Sequence, residues 1–337
     1  MTHRTPLGRA LLALIGIACS APCAVSAQSL YFTETNVSAN AFGFAPPVQP
    51  PAAGATVNSP MPLLPSFITQ QADIAGPLVP GNVQGRAVAY AWAQTGGLHV
   101  STQAQASVNA FEFSNPNPNG SGTSSVASLF RDVVVFNVPG AAPGTLFNVS
   151  ATIDLAVLYA AQGLLLNAAP PSFVTANASW QAGLRLFSGA GTHIQYARQG
   201  ACSWSMATSQ SNCVGDPTGA AQLSFTIPSG TNLVFEMTAN AASFAGAFVQ
   251  GLGAATSDSV VDMGHTLAWG GMQQVWDAGG TPVANFSMIG LGSGFDFRNA
   301  YVSPVPEPTT AMLLLGGLTG LAWRRLASLK RPASSAG

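Results

Sequence analysis

The chain has 337 residues, 47% of them apolar and only 7% charged, enough for one large core or two small ones. Between Gln28 and Ser303 the only basic residues are five arginines, Arg86, Arg131, Arg185, Arg198 and Arg298. Against eleven acidic residues they leave a net charge of −6. A nucleic-acid binder needs a basic face to neutralise phosphates, so that class is excluded.

The first residues, "MTHRTPLGRALLALIGIACSAPCAVSAQS", carry Arg4 and Arg9, an apolar stretch from Ala10 to Ala18, and Val25-Ser26-Ala27. That is the three-part layout of a secretory signal peptide, with cleavage expected after Ala27. The residues ahead of Cys19 and Cys23 fit the rival lipoprotein signal poorly. Export through the Sec translocon is therefore expected.

Residues 45–66 hold seven prolines. Proline resists helix interiors and central strands, so residues 28–85 are expected to form an extended N-terminal region. A domain is expected over 86–303. Its clearest run is "LFNVSATIDLAVLY", where Phe147, Val149, Ala151, Ile153, Leu155, Val157 and Tyr159 share a face by period two. That is a strand signal. "RAVAYAWAQ", "HVSTQAQASVNAFEF", "FRDVVVFNV", "FVTANASWQAGLRLF", "QLSFTI", "TNLVFEMTANA" and "AFVQG" read alike, between Gly- and Pro-rich turns. With 36 Gly and 24 Pro and no long 3.6-residue period, the expectation is an all-β antiparallel sandwich, jelly-roll-like, of ten or more strands. Strands dominated by Ala, Ser, Thr and Asn suit a sheet with one face in water.

Cys202 and Cys213 are the cysteines left after signal removal. Two thiols in an exported chain pair most simply as one disulfide. A metal site would need more ligands, and His99, His193 and His265 each stand alone. Asp258, Asp262, Asp277 and Asp296 could donate oxygens to calcium, but no loop spacing supports it. Gly-x-Ser-x-Gly is absent, and nothing singles out a carboxylate pair for glycoside hydrolysis. No catalytic residue, cofactor or metal is expected. Trp92, Trp180, Trp204, Trp269 and Trp276 suit either a sandwich core or a sugar-stacking platform.

The chain ends in "VSPVPEPTTAMLLLGGLTGLAWRRLASLKRP". The apolar run from Thr309 to Trp323 would make about 22 Å of helix, short of the roughly 30 Å hydrocarbon core. A single, marginal membrane span is expected. Arg324 and Arg325 would stop transfer, leaving the tail cytoplasmic and the body beyond the inner membrane. Pro306-Glu307-Pro308, the short Gly/Leu-rich run and the arginine pair together resemble the PEP-CTERM sorting signal, here 304–331. The resemblance implies export in a Gram-negative bacterium that makes exopolysaccharide. It also implies recognition at Pro306, Glu307 and Pro308 by the membrane protease-transpeptidase exosortase, and delivery to the cell surface or matrix. "DSVVDMGHTLAWGG" through "GLGSGFDF" is similar to the end of the β-rich body in such proteins. The functional expectation is a non-enzymatic surface or matrix protein of the biofilm. The alternatives are a carbohydrate-binding module engaging exopolysaccharide and a secreted polysaccharide hydrolase.

Overall fold

The computed structural model describes residues 29–42, 51–64, 66–74, 81–110, 118–206, 209–263 and 267–302. The signal peptide with Ala27, His265, and the sorting tail with its expected span lie outside them. The regular elements among the described residues are all strands, and all their pairings are antiparallel.

The first sheet runs in the order β11 (Gln210–Gly215), β10 (Gly191–Ser205), β9 (Ala169–Ser188), β13 (Thr231–Gln250), β6 (Asn119–Asn137), β1 (Leu30–Phe42), β2 (Ala53–Ser59). The short β16 (Ser287–Gly290) joins β6 past the end of β1. In the second sheet, β3 (Ser66–Ile74) pairs with β4 (Gly81–Gln94), β4 with β5 (Gly97–Ala110), and β5 with β14 (Gly253–Met263). Next, β14 pairs with β8 (Leu158–Leu166), while β15 (Leu267–Trp276) pairs with β7 (Leu146–Leu155). β12 (Gly219–Pro228) closes the far edge against β7.

The period-two run at 147–159 spans β7 and the start of β8. The partners Asp262↔Leu158 and Leu267↔Leu155 differ in register by two residues, an even offset that keeps the same side chains on the same face. Likewise "TNLVFEMTANA" and "AFVQG" are not separate strands but parts of the 20-residue β13.

The extended N-terminal region expected over 28–85 is corrected. β1 is a sheet member with Tyr31, Thr33, Thr35, Val37, Ala39 and Ala41 all buried, and β3 and the start of β4 extend the other sheet. Its inward residues are mostly small or polar, so hydrophobic period alone does not expose it.

The core tapers along the strands. On β6 the inward residues are Gly120, Gly122, Ser124, Val126, Ser128 and Phe130 in sequence order; on β13 Phe235 and Met237 give way to Ala245 and Ala247. The small end is a cluster of Ala and Val; the large end holds Tyr31, Phe130, Phe136, Phe235, Trp269 and Phe297. Cα atoms of facing strands come within 8 Å, against the roughly 10 Å usual between packed sheets.

Backbone therefore meets backbone. A Cβ on Gly122 would sit 2.1 Å from the Arg86 carbonyl oxygen. At this spacing a serine hydroxyl reaches the opposite sheet. Ser124 donates to Gln103 O (3.0 Å), Ser128 to Trp92 O (2.9 Å), Ser243 to Thr102 O (3.2 Å), Ser257 to Gly246 O (3.1 Å) and Ser259 to Phe244 O (2.9 Å). Each uses the second lone pair of a carbonyl oxygen, so a buried hydroxyl is satisfied without an apolar partner. Many of the small polar residues thus point into the core, and only the outer faces meet water.

Gly122→Val should force the sheets apart and destabilise by about 3 kcal/mol or more. Ser125→Val, on the outer face of the same strand, should stay within about 0.5 kcal/mol. Urea denaturation midpoints of the two variants check this.

Candidate functional site

The last stretch of the body closes the wide end of the sandwich. After β16 the chain turns through Leu291–Gly294, with Gly294 at φ 69°. The buried Asp132 accepts from Gly292 N (3.1 Å), Ser293 N (3.2 Å) and Ser293 Oγ (2.5 Å). The acid in "FRDVVVF" points inward and satisfies this turn. A Cβ on Gly290 would lie 2.2 Å from Asp132 Oδ2, so the contact needs glycine there.

Phe297 is fully buried, its ring 4.6 Å from Phe235 and 5.0 Å from Phe295, centroid to centroid. Trp269 Nε1 donates to Phe297 O at 2.7 Å, and Tyr301 N donates to Trp269 O at 2.7 Å. The Tyr301 ring lies over Gly97, where a Cβ would come within 2.5 Å of it. Arg298 donates to both oxygens of Asp296. Arg298 holds the Asp296 carboxyl below the usual carboxylate range, chiefly by hydrogen bonding. The pair's small, exposed contribution is present above the ordinary carboxylate pKa and lost as pH falls through the depressed one. The folded unit ends at Tyr301. Pro306, Glu307, Pro308, Arg324 and Arg325 follow it in sequence, outside the described residues.

Cys202 and Cys213 form the expected disulfide and are register partners in the β10–β11 hairpin. Cys202 is buried and Cys213 exposed. From β11, Ser211 Oγ donates to Ala161 O on β8, so the hairpin laps over an edge of the other sheet.

The tryptophans do not form one platform. Trp180 and Trp269 are core residues, Trp204 packs on the core's flank, and Trp92 and Trp276 are half-buried. The four aspartates are not brought together either. Asp258 and Asp262 lie on the outer face of β14, Asp277 accepts Thr281 N at 2.8 Å in a turn, and Asp296 holds Arg298. Among the described residues no three of His, Cys, Asp and Glu are grouped to hold a metal. His99 sits 3.9 Å from Asp262 with its ring edge-on to Tyr90. His193 bonds Ser188 Oγ at 3.0 Å and Thr226 O at 3.2 Å.

The outer face of the second sheet carries what sequence reasoning missed. Register places Arg86, Gln105, Asp258 and Gln162 in one row across four strands, and Gln84, Ser107, Thr256 and Leu164 in the next. Apart from Arg86, these residues line an open cleft of about 440 Å³. Gln103 Nε2 donates to Asp258 Oδ1 (3.3 Å) and Gln162 Nε2 to Oδ2 (3.5 Å). The signal was available only as isolated glutamines on alternating positions; which strands are neighbours is not written locally.

Phe297→Ala should cost about 3–5 kcal/mol by opening a cavity among the aromatic rings, read as a lowered urea midpoint. Cys213→Ser, at an exposed position, should cost about 3 kcal/mol through the lost loop constraint. Dithiothreitol should lower the melting temperature of the parent chain to that of the variant.

No curated protein and no solved structure matches the chain. The model of the PEP-CTERM protein-sorting motif matches residues 304–326. Beginning three residues after the last docked residue of the body, that match identifies the chain as an exported, transiently membrane-anchored exosortase substrate carrying a PEP-CTERM sorting motif.

Proposed function

We propose that the body is a non-enzymatic component of the cell surface or extracellular matrix of a Gram-negative bacterium, associated with its exopolysaccharide. The observation that carries this reading is the sorting motif at 304–326, which follows the β-rich body in sequence. Export by the Sec translocon follows from the signal-peptide layout ending at Ala27. Pro306 and Pro308 keep the recognition stretch extended, as a protease substrate must be, because proline cannot continue a helix. Arg324 and Arg325 hold the tail on the cytoplasmic side while exosortase acts.

A surface of neutral hydroxyl and amide groups also supports this reading. Polar residues such as Ser101, Gln103, Thr123, Asn177 and Gln181 occupy the outer faces, and the body contains no lysine. Such a face exchanges hydrogen bonds with a hydrated polyol matrix and is held apart from polyanions by the net charge of −6.

Replacing Pro306, Glu307 and Pro308 with alanine should leave an unprocessed, membrane-bound form of higher mass on an immunoblot of fractionated cells. Unchanged processing overturns the reading.

A further inference from the structure

We propose that the cleft on the outer face of the second sheet is a binding site for a neutral, hydroxyl-rich polysaccharide. This deepens the reading of an exopolysaccharide-associated body and rests on it.

Four strands, β4, β5, β14 and β8, supply the floor, so the groups are spaced by the ladder rather than by a loop. Strand-borne groups are held more precisely than loop-borne ones, and little ordering is left to binding. The donors and acceptors are of mixed type. Gln84, Gln105 and Gln162 each present an N–H pair and a carbonyl oxygen; Ser107 and Thr256 present hydroxyls. A sugar hydroxyl is itself both donor and acceptor, and it matches such a lining better than a ligand of one kind does.

Asp258 stands in the middle of the row. Its two oxygens take one long amide hydrogen bond each, from Gln103 and Gln162. An ionised carboxylate offers about four lone-pair sites, so it retains acceptor capacity for ligand hydroxyls. Leu164, 52% exposed, gives the cleft an apolar wall. A pyranose has a C–H face to lay against it and hydroxyls at the rim for the polar floor.

Charge decides between polysaccharide classes. The cation in the row, Arg86, stands two strands from Asp258 with Gln105 between them, and the body around them carries −6. A polyuronate would meet repulsion there; an uncharged glycan meets none. The lining also argues against a protein partner. The centre of a protein interface is enriched in aromatic residues, Met and Arg, and the cleft lining contains no aromatic residue and no methionine.

The test is native affinity electrophoresis of the full-length chain in detergent, through gels containing exopolysaccharide purified from the expressing strain, dextran, or alginate. Mobility should fall with rising concentration of a neutral polymer, and alginate should leave it unchanged. Gln105→Ala combined with Gln162→Ala should weaken retardation at least tenfold with an unaltered melting temperature. Thr123→Ala combined with Asn177→Ala, on the outer face of the other sheet, should change nothing. Asp258→Ala should weaken retardation at least fivefold. Absence of retardation by both neutral polymers overturns the proposal. So does equal retardation by alginate, or retardation indifferent to the cleft variants. Each of those results leaves tail processing on the immunoblot as it was, so failure of the site is distinguishable from failure of the sorting reading.

Discussion

The distance between the two sheets is the constraint on which the rest of this body depends. Where facing backbones come within 8 Å, mainly Gly, Ala and Ser, with a few Val, fill the space between them. A Cβ on Gly85 would lie 2.1 Å from Ser121 O, and one on Gly120 2.4 Å from Gln84 O. A thin core has little apolar area to bury, and burial contributes only about 25 cal/mol per Å². The inter-sheet serines offset part of that shortage. A hydroxyl–carbonyl bond is worth about 1 kcal/mol net, and a buried hydroxyl left without one costs about 1–3. Serine is therefore favoured here only because the opposite carbonyl is within reach, and it is within reach only because the neighbouring residues are small. Spacing and composition enforce each other.

That same taper creates a problem at the other end. Sheets held close at Gly120–Ser124 diverge toward Phe130 and Phe136, and the space between them has to be filled. Aromatic residues fill it from within, and the segment Ser287–Tyr301 closes it from the C-terminal side. Its hydrogen bonds are specific: Asp132 to the Gly292–Ser293 turn, Trp269 to Phe297 O, Met272 N to Arg298 O. The partners come from two strands, one in each sheet: β6 supplies Asp132, and β15 supplies Trp269 and Met272. Among the described residues, the wide end is completed by the segment that runs up to Tyr301.

How much of this is legible in the sequence depends on whether the information is local. The disulfide is legible because export leaves two cysteines. The sorting motif is legible because its three parts are contiguous. The alternation through Phe147–Tyr159 survives the break between β7 and β8, because the register offset there is two residues and leaves face parity unchanged. β1 is hidden because Thr33 and Thr35 point inward while Phe32 and Glu34 point outward, reversing the usual reading of polarity. Asp132 is hidden for the same reason. The cleft is hidden because Gln84, Gln105, Gln162 and Asp258 become neighbours only through strand order; the hydrogen bonds to Asp258 come from 96 and 155 residues away. The tryptophans mislead in the opposite direction: large aromatics look like a platform, but the wide end needs them as filling.

The charge distribution carries the argument from the fold to the membrane. Orientation across a bilayer is set by Lys and Arg within about 15–20 residues of the apolar run. On the body side of Thr309–Trp323 that window contains one cation, Arg298; on the other side it contains Arg324, Arg325, Lys330 and Arg331. Four against one agrees with the orientation proposed for the sorting signal. Arg298 is also engaged within the closing segment, bound to Asp296 and donating to Phe286 O at 3.1 Å. A lysine-free body therefore serves two ends with one choice of residues. It leaves the basic signal unopposed at the tail, and it leaves outer sheet faces built from amides and hydroxyls, the chemistry suited to an uncharged polymer.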